Sequence, residues 1–219
     1  MTPDELEHLI LEQLPESFLK RATSALFAAE KNAWDRCKKD FAETEAVNVR
    51  PYERRGKFEQ YLRDAAEFTP GLTASVQKSD RSAWNHTEIY AGSIVLTENA
   101  VATPGALVRK AEFRATLASG NQLSLFENDD EEDEASQLFV VLIHSRSQWG
   151  TRDERTQFGH LPGSLYLAVP SPDLNCYLYK MNLFERYQGI VKAHQPNDMS
   201  SEAYVQYLGR SIAARYGNA

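Results

Sequence analysis

Apolar residues recur along this chain at two different periods, and the change of period divides it. Leu6, Leu9, Ile10 and Leu14 step by three and four, which predicts a first helix. Thr2, Pro3 and Glu5 supply its start, as a capping box with proline at the first helical position. Pro15 interrupts the pattern. A longer helix is expected next, with Phe18, Leu19, Ala22, Leu26, Ala33, Trp34, Cys37 and Phe41 on one side. Residues 44 to 50 read as a connection. Pro51 is placed to start a third helix with Tyr52, Phe58, Tyr61, Leu62 and Ala65 inward, and Pro70-Gly71 marks its end.

After Gly71 the period falls to two. Leu72, Ala74 and Val76 alternate with polar residues and predict a strand, and His86 to Thr97 a longer one. Thr103 is the expected N-cap of a helix that Gly120 would stop, although Leu107, Arg109, Ala111 and Phe113 also alternate. Residues 121–136 read as a polar, acidic insert. Leu138 to Ile143 are six consecutive apolar residues, the pattern of a central strand buried on both faces. Residues 147–161 read as a loop. Ser164–Val169 and Cys176–Met181 predict two strands joined through Pro170-Ser171-Pro172-Asp173. Leu183 to Ala193 returns to a helical pattern. Ser200 or Ser201 is expected to cap a last helix carrying Tyr204, Val205, Leu208, Ile212 and Tyr216.

Helices gathered at the ends and strands joined by short turns predict an α+β fold, with a mainly antiparallel sheet of about five strands. No Pro/Gly/Ser-rich linker divides the 219 residues, so one domain is expected over 1–219. Its parts are a helical segment 1–70, a sheet-containing core 71–182 with the insert 121–136, and C-terminal helices 183–219.

Composition sharpens this in three places. No apolar run reaches the length of a membrane span, so no membrane partner is expected. The acidic, helical start does not fit a signal peptide. Cys37 and Cys176 are far apart in sequence and read as two buried free thiols, which favours a reducing, cytoplasmic setting. The net charge of -7 is concentrated: residues 127–134 hold seven acids and no base, and without them 24 Asp and Glu face 24 Lys and Arg. A neutral body with an acidic insert argues against strong non-specific nucleic-acid binding by the whole chain, while leaving a local basic face open.

One peptide carries a specific reading. Gln122-Leu123-Ser124-Leu125-Phe126 resembles the short motif by which many bacterial polymerases and repair proteins dock on the sliding clamp, Gln-Leu-Ser/Asp-Leu-Phe, at all five positions. The resemblance implies that Gln122 enters a small polar subsite and that Leu125 and Phe126 fill an apolar pocket, with Leu123 between them. The acidic run that follows cannot pack in a core, which suits a docking peptide with solvated flanks. The alternative is that Leu123, Leu125 and Phe126 pin the insert back onto the domain or form a short edge strand.

The histidines His8, His86, His144, His160 and His194 show no metal-ligand spacing, and no glycine-rich phosphate loop is present, so no metal or cofactor is expected. His8 reads as solvated and His194 as a cation following a helix end. His144 and Ser145, with Glu88 or Glu112 nearby, would supply a base, a nucleophile and an orienting acid if the fold brought them together. Glu112-Phe113-Arg114 is the nearest approach to the acid-x-Lys end of a metal-dependent nuclease pattern, with Arg where Lys is usual. Arg50, Arg54, Arg55 and Lys57, with Arg63, Tyr52, Phe58 and Tyr61, are candidates for nucleic-acid contact. Arg146, Arg152 and Arg155 with Trp149 form a second such group, and the interleaved acids Glu53, Glu59, Asp153 and Glu154 make a solvated face the alternative for both.

Three functional expectations follow. The first is a non-catalytic adaptor of bacterial DNA maintenance, or of mobile-element or phage-defence biology, docking a protein partner through residues 122–126. The second is a hydrolase or nuclease using His86, Glu88, Glu112 and His144. The third is a regulatory partner of a toxin or transcription factor that makes contact through the acidic insert.

Overall fold

The computed structural model describes residues 2–78, 85–104, 106–125, 137–146, 152–197 and 199. Among them are α1 (Pro3–Gln13), α2 (Glu16–Asp40), α3 (Glu43–Glu67), β1 (Leu72–Lys78), β2 (Asn85–Ala91), β3 (Ile94–Val101), α4 (Glu112–Leu125), β4 (Leu138–Arg146), α5 (Arg152–Phe158), β5 (Pro162–Pro170), β6 (Tyr177–Asn182), α6 (Leu183–Arg186) and α7 (Gln188–Ala193). The fold is α+β. Among the described residues its sheet has six strands in the order β1-β2-β3-β4-β5-β6, in line with the about five expected, with every pairing antiparallel except β3 with β4.

The parallel pair requires a crossover, and α4 provides it. The helical hairpin of α2 and α3 lies with α1, α6 and α7 on one face of the sheet, and α4 lies on the other. Each face has its own apolar cluster. Leu26, Phe58, Leu62, Leu96, Leu142 and Leu167 belong to the first, and Val108, Ala118, Val141, Ile143 and Ala168 to the second. β4 alternates between them residue by residue, and its first eight residues are buried, as the apolar run predicted.

The capping box at Thr2 forms as read, with Glu5 accepting from the Thr2 backbone at 2.6 Å and Thr2 accepting from Glu5 at 3.3 Å. Several elements differ from the sequence expectation. Pro51 does not start α3; it lies inside it. Its missing N–H leaves the Val47 carbonyl without a helical donor, and Val47 is exposed, so water reaches it. The stretch read as one strand over His86–Thr97 is two, split by a tight turn in which Gly92 adopts φ +56.

Thr103 does not cap α4. The alternating residues 106–111 run as irregular chain, with Val108 buried in the second cluster, and the helix starts at Glu112. Gly120 does not stop it either. A Cβ there would meet the Gln137 carbonyl at 3.2 Å, so the glycine allows close approach of helix and chain. The expected loop 147–161 contains α5, and Leu183–Ala193 forms two short helices. Cys176 is exposed rather than buried, while Cys37 is buried. Residues 126–136 of the insert and the final helix expected after Ser200 lie outside the described residues. No helix among the described residues is long and apolar enough to cross a membrane.

Candidate functional site

Strand alternation decides which polar groups can meet. On β3, Ile94 and Leu96 face the α3 side, so Glu98, two residues on, faces it too. On β4, Leu138, Val140 and Leu142 face that side, and His144 follows. Parallel pairing sets Ala100 opposite His144, and the diagonal brings the two polar side chains together. His144 Nε2 and Glu98 Oε2 are 2.8 Å apart.

The helix completes the cluster. Arg55, Glu59 and Arg63 form an i, i+4 stripe on α3. Arg55 Nε donates to Glu59 Oε1 at 2.9 Å and lies 3.4 Å from Glu98 Oε1. Thr87 Oγ1 donates to Glu59 Oε2 at 3.4 Å and accepts from Arg63 Nη1 at 2.9 Å. Phe58 stands edge-on to the His144 ring at 4.9 Å. Arg114 approaches from α4 and donates to the Glu98 carbonyl at 3.3 Å. His144 is 0% and Glu98 6% exposed, so the centre of this chain of charges is buried, while Arg55 at its edge keeps 33% of its side chain exposed.

Burial would push the Glu98 carboxyl up. The hydrogen bond and charge of His144, with the Arg55 and Arg114 guanidiniums, outweigh it and hold the group below its ordinary value. Glu59 goes the other way. Burial and the neighbouring Glu98 carboxylate raise it, and Arg55 offsets this only in part.

The opposite face holds a second cluster. His86 Nε2 lies 3.0 Å from Glu88 Oε1, Tyr90 donates to the other Glu88 oxygen, and Phe113 of α4 stacks on the His86 ring at 3.8 Å. Burial, followed by the Glu88 contact, pushes the Tyr90 hydroxyl up. Ser145 also faces this side and shares a 2.8 Å hydrogen bond with Ser164 of β5. Adjacent strand residues point to opposite faces, so His144 and Ser145 form no base–nucleophile pair.

The four residues weighed as a catalytic set therefore divide. His86 and Glu88 lie on the α4 face, His144 on the α3 face, and Glu112 is exposed at the first turn of α4. A shallow groove of about 340 Å³ between α2, α3 and α7, flanked by Lys20, Arg21 and Phe68, is lined by none of them. Among the described residues, no group of three or more His, Cys, Asp or Glu side chains is placed to hold a metal ion.

The nucleic-acid candidates are placed unequally. Arg54 forms a buried 2.9 Å ion pair with Glu30 of α2. Arg55 belongs to the Glu59–Glu98 chain. The Arg50 guanidinium lies over the Trp34 ring at 4.0 Å, and half-buried Lys57 reaches Gln60 at 3.5 Å. His160 lies beside the same indole, at 6.1 Å. His194 stacks on Phe27 at 4.8 Å, and burial lowers its pKa, which weakens the expected role of a helix-end cation. Of the peptide 122–126, Gln122–Leu125 form the last turn of α4, in place of an edge strand, and Phe126 lies outside the described residues.

Sequence reading missed Glu98, Glu30 and Asn121, and placed Glu59, which is buried, on a solvated face. Glu98 had a signal: a carboxylate two residues beyond Leu96, on the core-facing phase of an apolar strand, needs a buried partner. Asn121 had none, because its role depends on three separate chain segments. Comparison with protein-family models, curated proteins and solved structures finds no match to the chain.

Proposed function

We propose that this protein is a non-catalytic adaptor of bacterial DNA maintenance, or of mobile-element or phage-defence biology. It docks on a partner of the sliding-clamp kind through Gln122, Leu123, Leu125 and Phe126. The observation that carries the reading is how the peptide is mounted. Asn121, fully buried, takes the Phe139 N–H at 2.7 Å and donates to the Phe139 carbonyl at 3.2 Å and the Pro170 carbonyl at 2.8 Å. The next five residues are the peptide, and seven acids follow within residues 127–134. A rigid anchor on one side and a run of like charges on the other would present a short motif at low ordering cost. The terminal turn of a helix opens easily, so Gln122–Leu125 are free to re-form on a partner's surface. The division of His86, Glu88 and His144 between two faces favours binding over catalysis.

The test is binding of the purified full chain to a bacterial sliding clamp, beside a Gln122→Ala/Leu125→Ala/Phe126→Ala variant. Binding with a Kd on the order of micromolar is expected, and its loss in the variant at an unchanged unfolding midpoint. No binding by the unaltered chain overturns the reading.

A further inference from the structure

The geometry of α3 over β4 places three arginines around one carboxylate. Phe58 packs against His144. One helical turn earlier on α3 stands Arg54, and two residues further along β4 stands Arg146. A turn of helix advances about 5.4 Å and two strand residues about 6.6 Å, so position 54 stands over position 146. Arg50 lies a further turn back on the same stripe.

Glu30, 3% exposed, is the one carboxylate bonded within this group, and it is held by Arg54. Among the described residues, Arg50 and Arg146 make no ion pair. The other nearby acids are engaged elsewhere or exposed: Glu53 and Asp40 face Arg36, and Glu43, which acts on Arg50 through its charge, sits at the exposed start of α3. Cys37, facing Arg50, is a thiol pushed up by burial and brings no charge. The Nε atoms of Arg50 and Arg54 are buried without a partner. Trp34 forms a fixed floor: Arg50 covers its face, and a Cβ on Gly159 would come within 2.8 Å of it. Three guanidiniums against one carboxylate, with donors left over, are matched by an anion of several acceptor oxygens. Burial, and then mutual repulsion with Arg54 and Arg50, lowers the Arg146 pKa, in keeping with that excess.

We infer that Arg50, Arg54 and Arg146 form a site for a phosphate-class oxyanion, supplied by the backbone of a nucleic-acid strand. Arg146, at the end of β4 and with part of its surface exposed, is the entrance, and buried Arg54 supplies field and a hydrogen bond from beneath. The site shares no residue with the docking peptide, so either assignment can fail alone.

The test uses the full chain with Trp84→Phe/Trp149→Phe, which leaves Trp34 as the fluorescent reporter under Arg50. Potassium phosphate is titrated against potassium chloride of equal ionic strength, and then a short thymidine oligonucleotide is added in its place. A saturable change in Trp34 emission is expected with the oligonucleotide and, more weakly, with phosphate. The affinity should be roughly tenfold weaker in Arg50→Gln/Arg146→Gln. Both substitutions are at residues that are not fully buried, so the fold is retained, which circular dichroism checks. Glu30→Gln removes the competing charge and should tighten binding roughly threefold. A response to phosphate alone keeps the site and overturns the nucleic-acid source. No response to either ligand, or an equal response in the double-glutamine variant, overturns the site.

Discussion

At the scale of single residues, the informative pair is Glu59 and Glu98, which share Arg55 and shift in opposite directions. Glu98 is held below its unfolded value. Its contribution to stability is present above that value and is lost as pH falls through the folded one. Glu59 is held above its unfolded value, so folding is favoured while it keeps its proton. That contribution is lost as pH rises through the folded value, because the carboxylate must then be buried beside another carboxylate. Two nearly isosteric substitutions should therefore act with opposite signs. Glu59→Gln removes the repulsion and should raise stability at neutral pH, with the gain vanishing at mildly acidic pH. Glu98→Gln leaves Arg55 and His144 facing a neutral amide in a sealed site. It should cost about 3 kcal/mol at neutral pH. Urea unfolding at the two pH values measures both; two losses of similar size would contradict the assignment of Glu59 as the strained partner.

At the scale of elements, Asn121 joins the last turns of α4 to β4 and β5 and fixes how the crossover helix seats on the sheet. Asn121→Ala leaves the Phe139 N–H and the Pro170 carbonyl short of a partner at a buried junction. A loss of about 3 kcal/mol is expected, from roughly 1–3 kcal/mol per orphaned buried group. A loss under about 1 kcal/mol in urea unfolding would mean that the chain re-pairs those groups. The same junction shows why some elements were legible in sequence and others not. α1, α2, β1, β4, β5 and β6 announce themselves through an unbroken period of apolar positions, and the fold follows it. The errors lie where a residue serves two rules. Pro51 is a good helix start, but it is tolerated mid-helix where the orphaned Val47 carbonyl is wet. Gly120 is a good helix stop, but here it makes room for the Gln137 carbonyl. Gly92 splits a strand because its φ of +56 suits a tight turn, which the apolar run around it hides. The site was half legible for a related reason. His86, Glu88, His144, Arg54 and Arg55 stand out as chemical types. Which of them meet depends on strand phase and on the parallel register of β3 and β4, and neither is visible from one strand at a time.

At the scale of the whole molecule, the question is whether the acidic run interferes with the arginine cluster. The net charge of -7 equals the seven acids of residues 127–134, and this run is tethered between Leu125 and Gln137, at the amino end of β4. Arg146 is at the other end of the strand. Eight residue steps separate it from Leu138, or about 26 Å at ~3.3 Å per residue. The screening length is about 8 Å at physiological ionic strength and about 30 Å at ~0.01 M. Charges held near Leu138 would be largely screened from the cluster in the first condition and would act on it in the second. Replacing residues 127–134 with glycine and serine should change oligonucleotide affinity by less than about twofold at physiological salt, and raise it several-fold at low salt. The unfolding free energy should move by no more than about 0.5 kcal/mol, as for a surface change. Fluorescence titrations at the two salt concentrations, with urea unfolding beside them, measure all three quantities. A large gain in affinity that persists at physiological salt would mean that the acidic run reaches the arginines directly. It would then act as a competitor for the site, and the separation of docking peptide and anion site at opposite ends of β4 would fail.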